Sequence, residues 1–454
     1  MKQSLIRTKK NIALILAGYL FLVSTLLPLY MRDGYHELGE SKFLMFLRMT
    51  ICLFVILLPF ICAYFVEKKR ETGKIRFFLS VPDFFLMLYL VALFISFAGC
   101  SFKSEAFWGT EGWRIGLVTR VFMVVLFMLY EHFFFAMKRE YFGAILTGFF
   151  MVIILGFFNH AGISLFGTGL SGENFISTIG NSNWYCGFLS VFIPVEFVCF
   201  LEIMKYGEST KKRGTGIVMR LSNWLFMILT IISAYTAGSE SIWLSILFTV
   251  PIVIVYLLFS KGRLDSKAVR ITAYFMLFLI MVWLILILTI RFQDSWGNGR
   301  GGIWSIAKEY LSQMNLFERL WGIGPDCFYA YGVSDSGIVV LVQAQFGNDA
   351  LTNAHCSLLT LLIEQGAIGV LCIGGFVVSL LKKALDAMCV LDENKEHYNE
   401  LFGLCLCLIL ISYLANNMVS FGTITSSVFV AVFSGVCSAG LRVTKEHTTN
   451  QSFL

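Results

Sequence analysis

The sequence predicts an all-α integral membrane protein of about twelve transmembrane helices, with a long extracytoplasmic loop between helices 9 and 10. Three observations carry this prediction. Of the 454 residues, 57% are hydrophobic and only 14% charged, about half the charged share of a soluble domain, and the mean hydropathy is +0.76. Apolar runs long enough for a bilayer core, which needs about 20 helical residues, recur along nearly the whole chain. Between those runs the basic residues alternate in density, as the preference of Lys and Arg for the cytoplasmic side requires.

The runs fall at about 11–30, 43–65, 82–99, 116–137, 141–158, 184–204, 220–237, 240–259, 269–291, 357–381, 400–418 and 424–441. They leave no room for a separate soluble domain, so residues 1–454 read as one polytopic membrane domain. Only six prolines occur, in keeping with the cost of unsatisfied backbone groups in lipid. The first run follows Lys2, Arg7, Lys9 and Lys10 and looks at first like a signal peptide. Its apolar stretch exceeds the about 7 to 15 residues of a signal core, and no small-residue cleavage site follows. It is read as a retained helix 1.

With the N-terminus inside, 25 of the 35 basic residues fall in inner segments and 8 in outer ones, while Arg48 and Arg120 lie within apolar runs. A missed or added helix would invert this pattern downstream. The split therefore supports twelve crossings of the cell membrane with both termini cytoplasmic. The net charge of +6 is spread over the inner segments, so it reports topology and not a nucleic-acid footprint. The twelve cysteines lie mostly in or beside apolar runs, where a thiol acts as a small hydrophobe. Cys405 and Cys407 have no His or second pair beside them, so no metal-type spacing appears. The topology puts Cys100, Cys327 and Cys356 near the outer face and admits a Cys327–Cys356 disulfide.

Two outer segments are long: Asn159 to Asn183, and Arg291 to Cys356, the latter about 65 residues. Loops of such length are usually functional. Within the extracytoplasmic loop, 292–356, the stretch Ile303 to Phe317 places Ile303, Ile306, Ala307, Tyr310, Leu311 and Met314 at helical spacing opposite Lys308 and Glu309. That pattern predicts an amphipathic helix at 303–317 lying in the membrane interface. Gly322, Gly324 and Pro325 then break it.

Candidate chemistry begins with Arg300 in GNGRGGIW. Its planar, permanently charged fork suits phosphate oxygens, and flanking glycines let backbone approach a ligand; an anchor on lipid headgroups is the alternative. His355, in TNAHCSLLTLLIEQGAIG, can take a proton from a hydroxyl, worth about 10² to 10⁴ in rate. A capping role is its alternative. Of the other histidines, His36 sits in a short outer loop, His132 and His160 border helices, and His397 and His447 are cytoplasmic. Ionisable residues within apolar runs are functional candidates by default. These are Arg48, Arg114 and Arg120 at the outer ends of helices 2 and 4, and Glu196, Glu240 and Glu364 in or near helices 6, 8 and 10. Each has a packing or snorkelling alternative. Cations converging near the outer leaflet would suit an anionic lipid diphosphate. No P-loop, HExxH or CxxC pair points to a nucleotide or metal site.

Three blocks resemble the O-antigen ligase and polymerase superfamily. STIGNSNWYCGFLSVFIPV (Ser177–Val195) is similar to the family's Gly/Asn-rich entry to a central helix. GNGRGGIWSIAKEYLSQMNLFERLWGIGPDCF (Gly297–Phe328) resembles its Arg, Trp, amphipathic helix and GxG turn. NAHCSLLTLLIEQGAIGVL (Asn353–Leu371) resembles its Asn-x-His followed by Glu or Gln and GxxG. The resemblance covers about 200 residues, with the blocks in the family's order.

The resemblance implies a GT-C-like membrane fold and an inverting, metal-independent glycosyl transfer without a cofactor. The donor would be an undecaprenyl-diphosphate-linked glycan and the acceptor a hydroxyl on a glycan or lipid at the outer face. By position, His355 would be the general base, Arg300 would hold the diphosphate, and Asn353 and Glu364 would belong to the His block. Two departures stand out. Glu240, in AGSESIWLS, occupies the place of a family arginine, so a second cation would have to come from Arg114 or Arg120. Cys356 replaces a frequent Asn. The lack of an added soluble domain favours a polymerase over a ligase or a protein oligosaccharyltransferase.

The reading from another class is a twelve-helix secondary transporter, which calls for related halves and a midplane site on broken helices. No half-to-half similarity is visible. A sensor or assembly scaffold would tolerate changes at both Arg300 and His355.

Overall fold

The computed structural model describes residues 2–74, 79–134, 139–163, 165, 176–206, 213–347, 350–389 and 398–451. Among these, all repeating secondary structure is helical. In chain order the helices are α1 (Lys2–Leu29), α2 (Leu38–Thr72), α3 (Val81–Gly99), α4 (Lys103–Trp108), α5 (Leu117–Phe133) and α6 (Arg139–His160). Next come α7 (Ser182–Tyr206), α8 (Arg213–Thr236), α9 (Ser241–Ser260), α10 (Ser266–Thr289), α11 (Trp296–Gln313) and α12 (Leu316–Trp321). The chain ends with α13 (Phe328–Ser334), α14 (Ser336–Phe346), α15 (Ser357–Met388), α16 (Tyr398–Asn416) and α17 (Ile424–Gln451).

Each predicted apolar run lies on a helix, namely α1 to α3, α5 to α10 and α15 to α17. Among the described residues nine helices are long and apolar enough to cross a membrane: α1, α2, α3, α7, α8, α9, α10, α15 and α17. The three other runs give shorter apolar stretches, with α5 at 17 residues and α6 and α16 described as apolar over Ile145–His160 and Glu400–Asn416. Exposed Val55, Ile56, Leu58, Phe84, Val91, Ile228, Leu247, Ile254 and Phe278 line the outsides of the long helices. In water such a surface would be unstable, whereas lipid solvates it at no cost. The chain is an all-α, multi-pass membrane protein.

Local sequence sets where several helices start and stop. Ser80 and Asp83 form a reciprocal capping box at the start of α3, with Pro82 in its first turn. Asp265 caps α10 through Ala268 N at 3.0 Å. The main core is the helix bundle, in which Phe188 and Phe192 of α7 pack against Phe429 and Phe433 of α17 with centroids 4.9–6.0 Å apart.

The segment between α10 and α15 folds as α11 to α14 around a second core, in which Trp304, Ile306, Ala307, Tyr310, Cys327, Phe328 and Ile338 meet Leu359 and Ile363 of α15. Two features of the predicted helix at 303–317 differ here. Continuous helix stops at Gln313, because Asn315 and Glu318 form a new capping box that starts α12. The apolar stripe of Ile303, Ile306, Ala307, Tyr310 and Met314 is buried against the second core, while Leu316 and Phe317 at the end of the stretch are exposed.

Helix α15 is broken at Gly366, where φ is 65° and ψ is −174°. The break frees backbone carbonyls inside an apolar bundle, where leaving them unpaired is costly. The turn after α12 supplies donors: Ile323 N reaches the Ile363 carbonyl at 3.0 Å and Gly324 N the Glu364 carbonyl at 3.2 Å. Ser96 Oγ adds a third bond, to the Glu364 carbonyl at 3.1 Å. A side chain at Gly322 would collide with that same carbonyl. The segment from α11 to α14 is thus docked on the bundle at the break.

Candidate active site

Arg300 is positioned by a left-handed run. Gly297, Asn298 and Gly299 have φ of 60°, 61° and 85°, conformations open to glycine and tolerated by asparagine. The run reverses the chain just before the helical turns of α11 begin. Arg300 is buried; its Nε donates to the Val419 carbonyl at 2.7 Å and its Nη1 to the Gly297 carbonyl at 2.6 Å. No carboxylate hydrogen-bonds to it among the described residues, and Nη2 is left uncommitted. Burial pushes its pKa down and the charge of Glu240, at the head of α9, opposes that fall. A guanidinium so held stays charged at neutral pH.

His355 sits on the turn that leads into α15, with φ at 46°, an unfavourable region for a residue with a Cβ. Four contacts impose it. Its own N–H donates to Asn353 Oδ1 at 2.9 Å, and Trp304 Nε1 donates to the Ala354 carbonyl at 3.1 Å. Ala354 N donates to Thr360 Oγ1 at 3.1 Å, and Ser357 N to the Asn417 carbonyl at 3.0 Å. The imidazole lies edge-on to Phe421, 5.1 Å between centroids, and neither ring nitrogen has a hydrogen-bond partner among the described residues. Burial, and after it the charge of Arg300, pushes the pKa of His355 down to about 4. At neutral pH it is an uncharged imidazole with a free lone pair.

Arg300, His355 and Glu240 come from three places in the chain, and Arg300 acts electrostatically with each of the other two. The connection between α16 and α17 serves as their floor: Val419 holds Arg300, Asn417 holds the turn of His355, and Phe421 backs its ring. Sequence reading missed this connection. Its signal was the pair Asn416–Asn417 closing an apolar run, since amides there need partners.

A cavity of about 280 Å³ opens beside His355. Neither Arg300 nor His355 lines it, but Asn353 and Phe421, which touch His355, do. The same end of the cavity carries Trp113, Thr352 and Asn417, and the other end is walled by Leu86, Val124, Phe127, Phe376 and Val430. Between them lie Tyr89, Arg120, Glu364 and Asp326. The cavity thus joins a polar end to a mostly apolar one, with the Arg120–Glu364 ion pair between them.

The two other arginines read as diphosphate ligands are committed elsewhere. Arg120 forms an ion pair with Glu364 and donates to the Ile115 carbonyl at 2.8 Å and to Tyr89 Oη at 3.2 Å. Arg114 pairs with Glu40 at 2.6 Å and donates to the Gly109 carbonyl at 3.1 Å. Each has its charge balanced by a carboxylate, so neither offers the open cation that Glu240 was read as demanding. Glu364 is the partner of Arg120 and not a separate site. Beside this pair sits Asp326, another residue missed in the sequence. Its Oδ2 accepts from Thr110 N at 2.8 Å and Ile115 N at 2.9 Å. Burial first, and then Glu364, pushes its pKa up to about 8, against the pull of Arg120.

The remaining candidates lie outside this region. Arg48 is exposed, and Glu196 is buried with Thr230 Oγ1 at 3.2 Å. Asp83, Glu131 and His132 have metal-like proximity, at the opposite end of α5 from Arg120. Asp83 is taken by His132 at 2.9 Å and Glu131 by Lys383 at 2.8 Å. His397 lies outside the described residues. The Cys327–Cys356 pairing is not formed: Cys327 Sγ faces Cys100 Sγ at 3.5 Å, because the turn after α12 docks on the end of α3.

No model of a known protein family matches this chain, and a comparison with curated proteins finds no significant match.

Proposed function

We propose that the chain is a metal-independent membrane glycosyltransferase of the O-antigen ligase and polymerase type. It would move an undecaprenyl-diphosphate-linked glycan onto a hydroxyl acceptor at the outer face of the cell membrane. The observation that carries this reading is the meeting of Arg300 and His355, from opposite ends of one long segment, with the arginine unpaired and the imidazole neutral.

Glycosyl transfer with inversion needs two things of a protein: a base for the acceptor hydroxyl and a fixed cation for the leaving diphosphate. In this reading a ring nitrogen of His355 takes the acceptor proton as the new glycosidic bond forms. The bond from the sugar to the diphosphate breaks, and Arg300 Nη2 meets the charge that develops on the leaving oxygen. The two roles are linked. A diphosphate beside Arg300 offsets the arginine's charge, which after burial holds the His355 pKa down, so the imidazole becomes a stronger base when donor is bound. The cavity beside His355, polar at one end and mostly apolar at the other, suits a headgroup joined to part of a prenyl chain.

All twelve apolar helices then cross the membrane, both termini are cytoplasmic, and the segment from α11 to α14 faces outward. The polymerase reading is favoured over the ligase, with a second lipid-linked glycan as acceptor. The test is surface glycan length in a deletion strain complemented with wild type, Arg300→Ala or His355→Ala. Both variants should leave only single repeat units while the protein stays in the membrane. Normal polymer in the His355→Ala cells would sink the base role.

A further inference from the structure

Cys100 and Cys327 lie on two parts of the chain that the fold brings into contact. Cys100 is the residue that ends α3, its N–H bonded to the Phe97 carbonyl at 3.3 Å. Cys327 closes the turn that docks on the break in α15, its N–H bonded to the Gly324 carbonyl at 3.3 Å. Their sulfurs are 3.5 Å apart and the residues are 6% and 0% exposed. A disulfide needs about 2 Å between sulfurs, so a shift of about 1.5 Å closes it. The Cys327 thiol and, after it, Phe102 N at 3.2 Å donate to Cys100 Sγ, which favours the thiolate there and makes Cys100 the nucleophile of the pair.

We propose that Cys100 and Cys327 are joined by a disulfide in the mature protein. Before the turn docks and buries both sulfurs, the Cys100 thiolate attacks a disulfide of a thiol oxidant, protein or small molecule, on the outer side of the membrane. A mixed disulfide forms, and Cys327 resolves it. The pair loses two electrons and two protons, and the oxidant leaves as two thiols. The bond would link residues 227 positions apart, and long closed loops gain most from cross-linking. It would fasten to α3 the turn whose Asp326 holds Thr110 and Ile115 beside the Arg120–Glu364 pair. A second thiol pair, Cys405 and Cys437, is in contact between α16 and α17. It lies within the bundle, away from any aqueous oxidant, and stays reduced. The inference rests on the outward placement of this segment in the proposed function.

The experiment counts thiols by intact mass. Protein purified without reductant is denatured in N-ethylmaleimide. Of the twelve cysteines, all but Cys100 and Cys327 should be labelled, and reduction should expose those two. Peptide mapping should recover the Cys100–Cys327 cross-link. Cys100→Ser and Cys327→Ser should each lose the reduction-dependent gain, whereas Cys405→Ser should keep it. Labelling of every cysteine without reductant overturns the proposal. Orientation is read separately from Ser336→Cys, at an exposed position, with a membrane-impermeant maleimide on intact cells. A labelled reporter with no disulfide refutes the cross-link and leaves the function reading standing; an unlabelled reporter with the disulfide present does the reverse.

Discussion

Arg300 and Arg120 carry the same group in two regions close together in the fold, and their surroundings differ in one decisive respect. Arg120 meets a buried carboxylate, Glu364, and its charge is cancelled where it stands. Arg300 is solvated by the Val419 and Gly297 carbonyls, which accept its protons without cancelling its charge. A paired cation organises structure. An unpaired one keeps a field that reaches His355 and that an anion can use. Of the arginines that the sequence offered as diphosphate ligands, Arg300 is the one without a carboxylate partner among the described residues.

The largest expected effect breaks the Arg120 side of this contrast. Arg120→Ala leaves Glu364 buried without a partner and should cost about 3–5 kcal/mol of stability, whereas replacing both residues by Leu should be close to neutral. Thermal unfolding in detergent measures both, and a double variant as unstable as the single would mean that Arg120 does more than neutralise Glu364.

Next in size is His355→Ala, expected to lower transfer rate about 10² to 10⁴-fold with the fold intact. The pH dependence sharpens this. With the pKa of His355 at about 4 in the free protein, the neutral base persists far below neutrality, and the acid limb of kcat/KM should fall only near that value. Once donor diphosphate offsets Arg300, the acid limb of kcat should move upward, while burial still keeps it below the ordinary histidine value. Coincident limbs would argue against coupling between the two residues.

Arg300→Lys keeps the charge and loses the fork that spans two carbonyls, so donor KM should rise about tenfold, the value of one hydrogen bond to a charged group. A lysine variant with wild-type kinetics would show that charge alone suffices. The smallest effect is at Glu240. Its carboxylate is exposed and acts on Arg300 only through its field, so Glu240→Gln should tighten donor binding a few-fold, within the about 1 kcal/mol of an exposed pair. Weaker binding in that variant would turn Glu240 from a bystander into a contributor.

The helices were legible because lipid imposes a rule that acts residue by residue. A spanning segment must be apolar and satisfy its own backbone, so the runs read from hydropathy coincide with helices from α1 to α17. The segment at 303–317 was legible only in part. Its helical period was right, but a period cannot tell whether an apolar stripe will meet lipid or protein. That was decided by Leu359, Ile363 and Phe328 arriving from elsewhere. Arg300 and His355 could be nominated singly from their residue types and neighbours. Glu40, Glu364 and Asp326, which fix what the other cations can do, lie far from those cations in sequence.

By itself, then, the sequence determined the solvent this protein folds in and the places of its long apolar helices, and it nominated two residues for chemistry. The reason is that transfer of a segment into lipid depends on that segment alone. Only the tertiary structure decided which arginine stays unpaired, which cysteines meet, and that the turn after α12 fills the break in α15. Those are pair properties, set by groups brought together across the chain, and no local pattern encodes the partner.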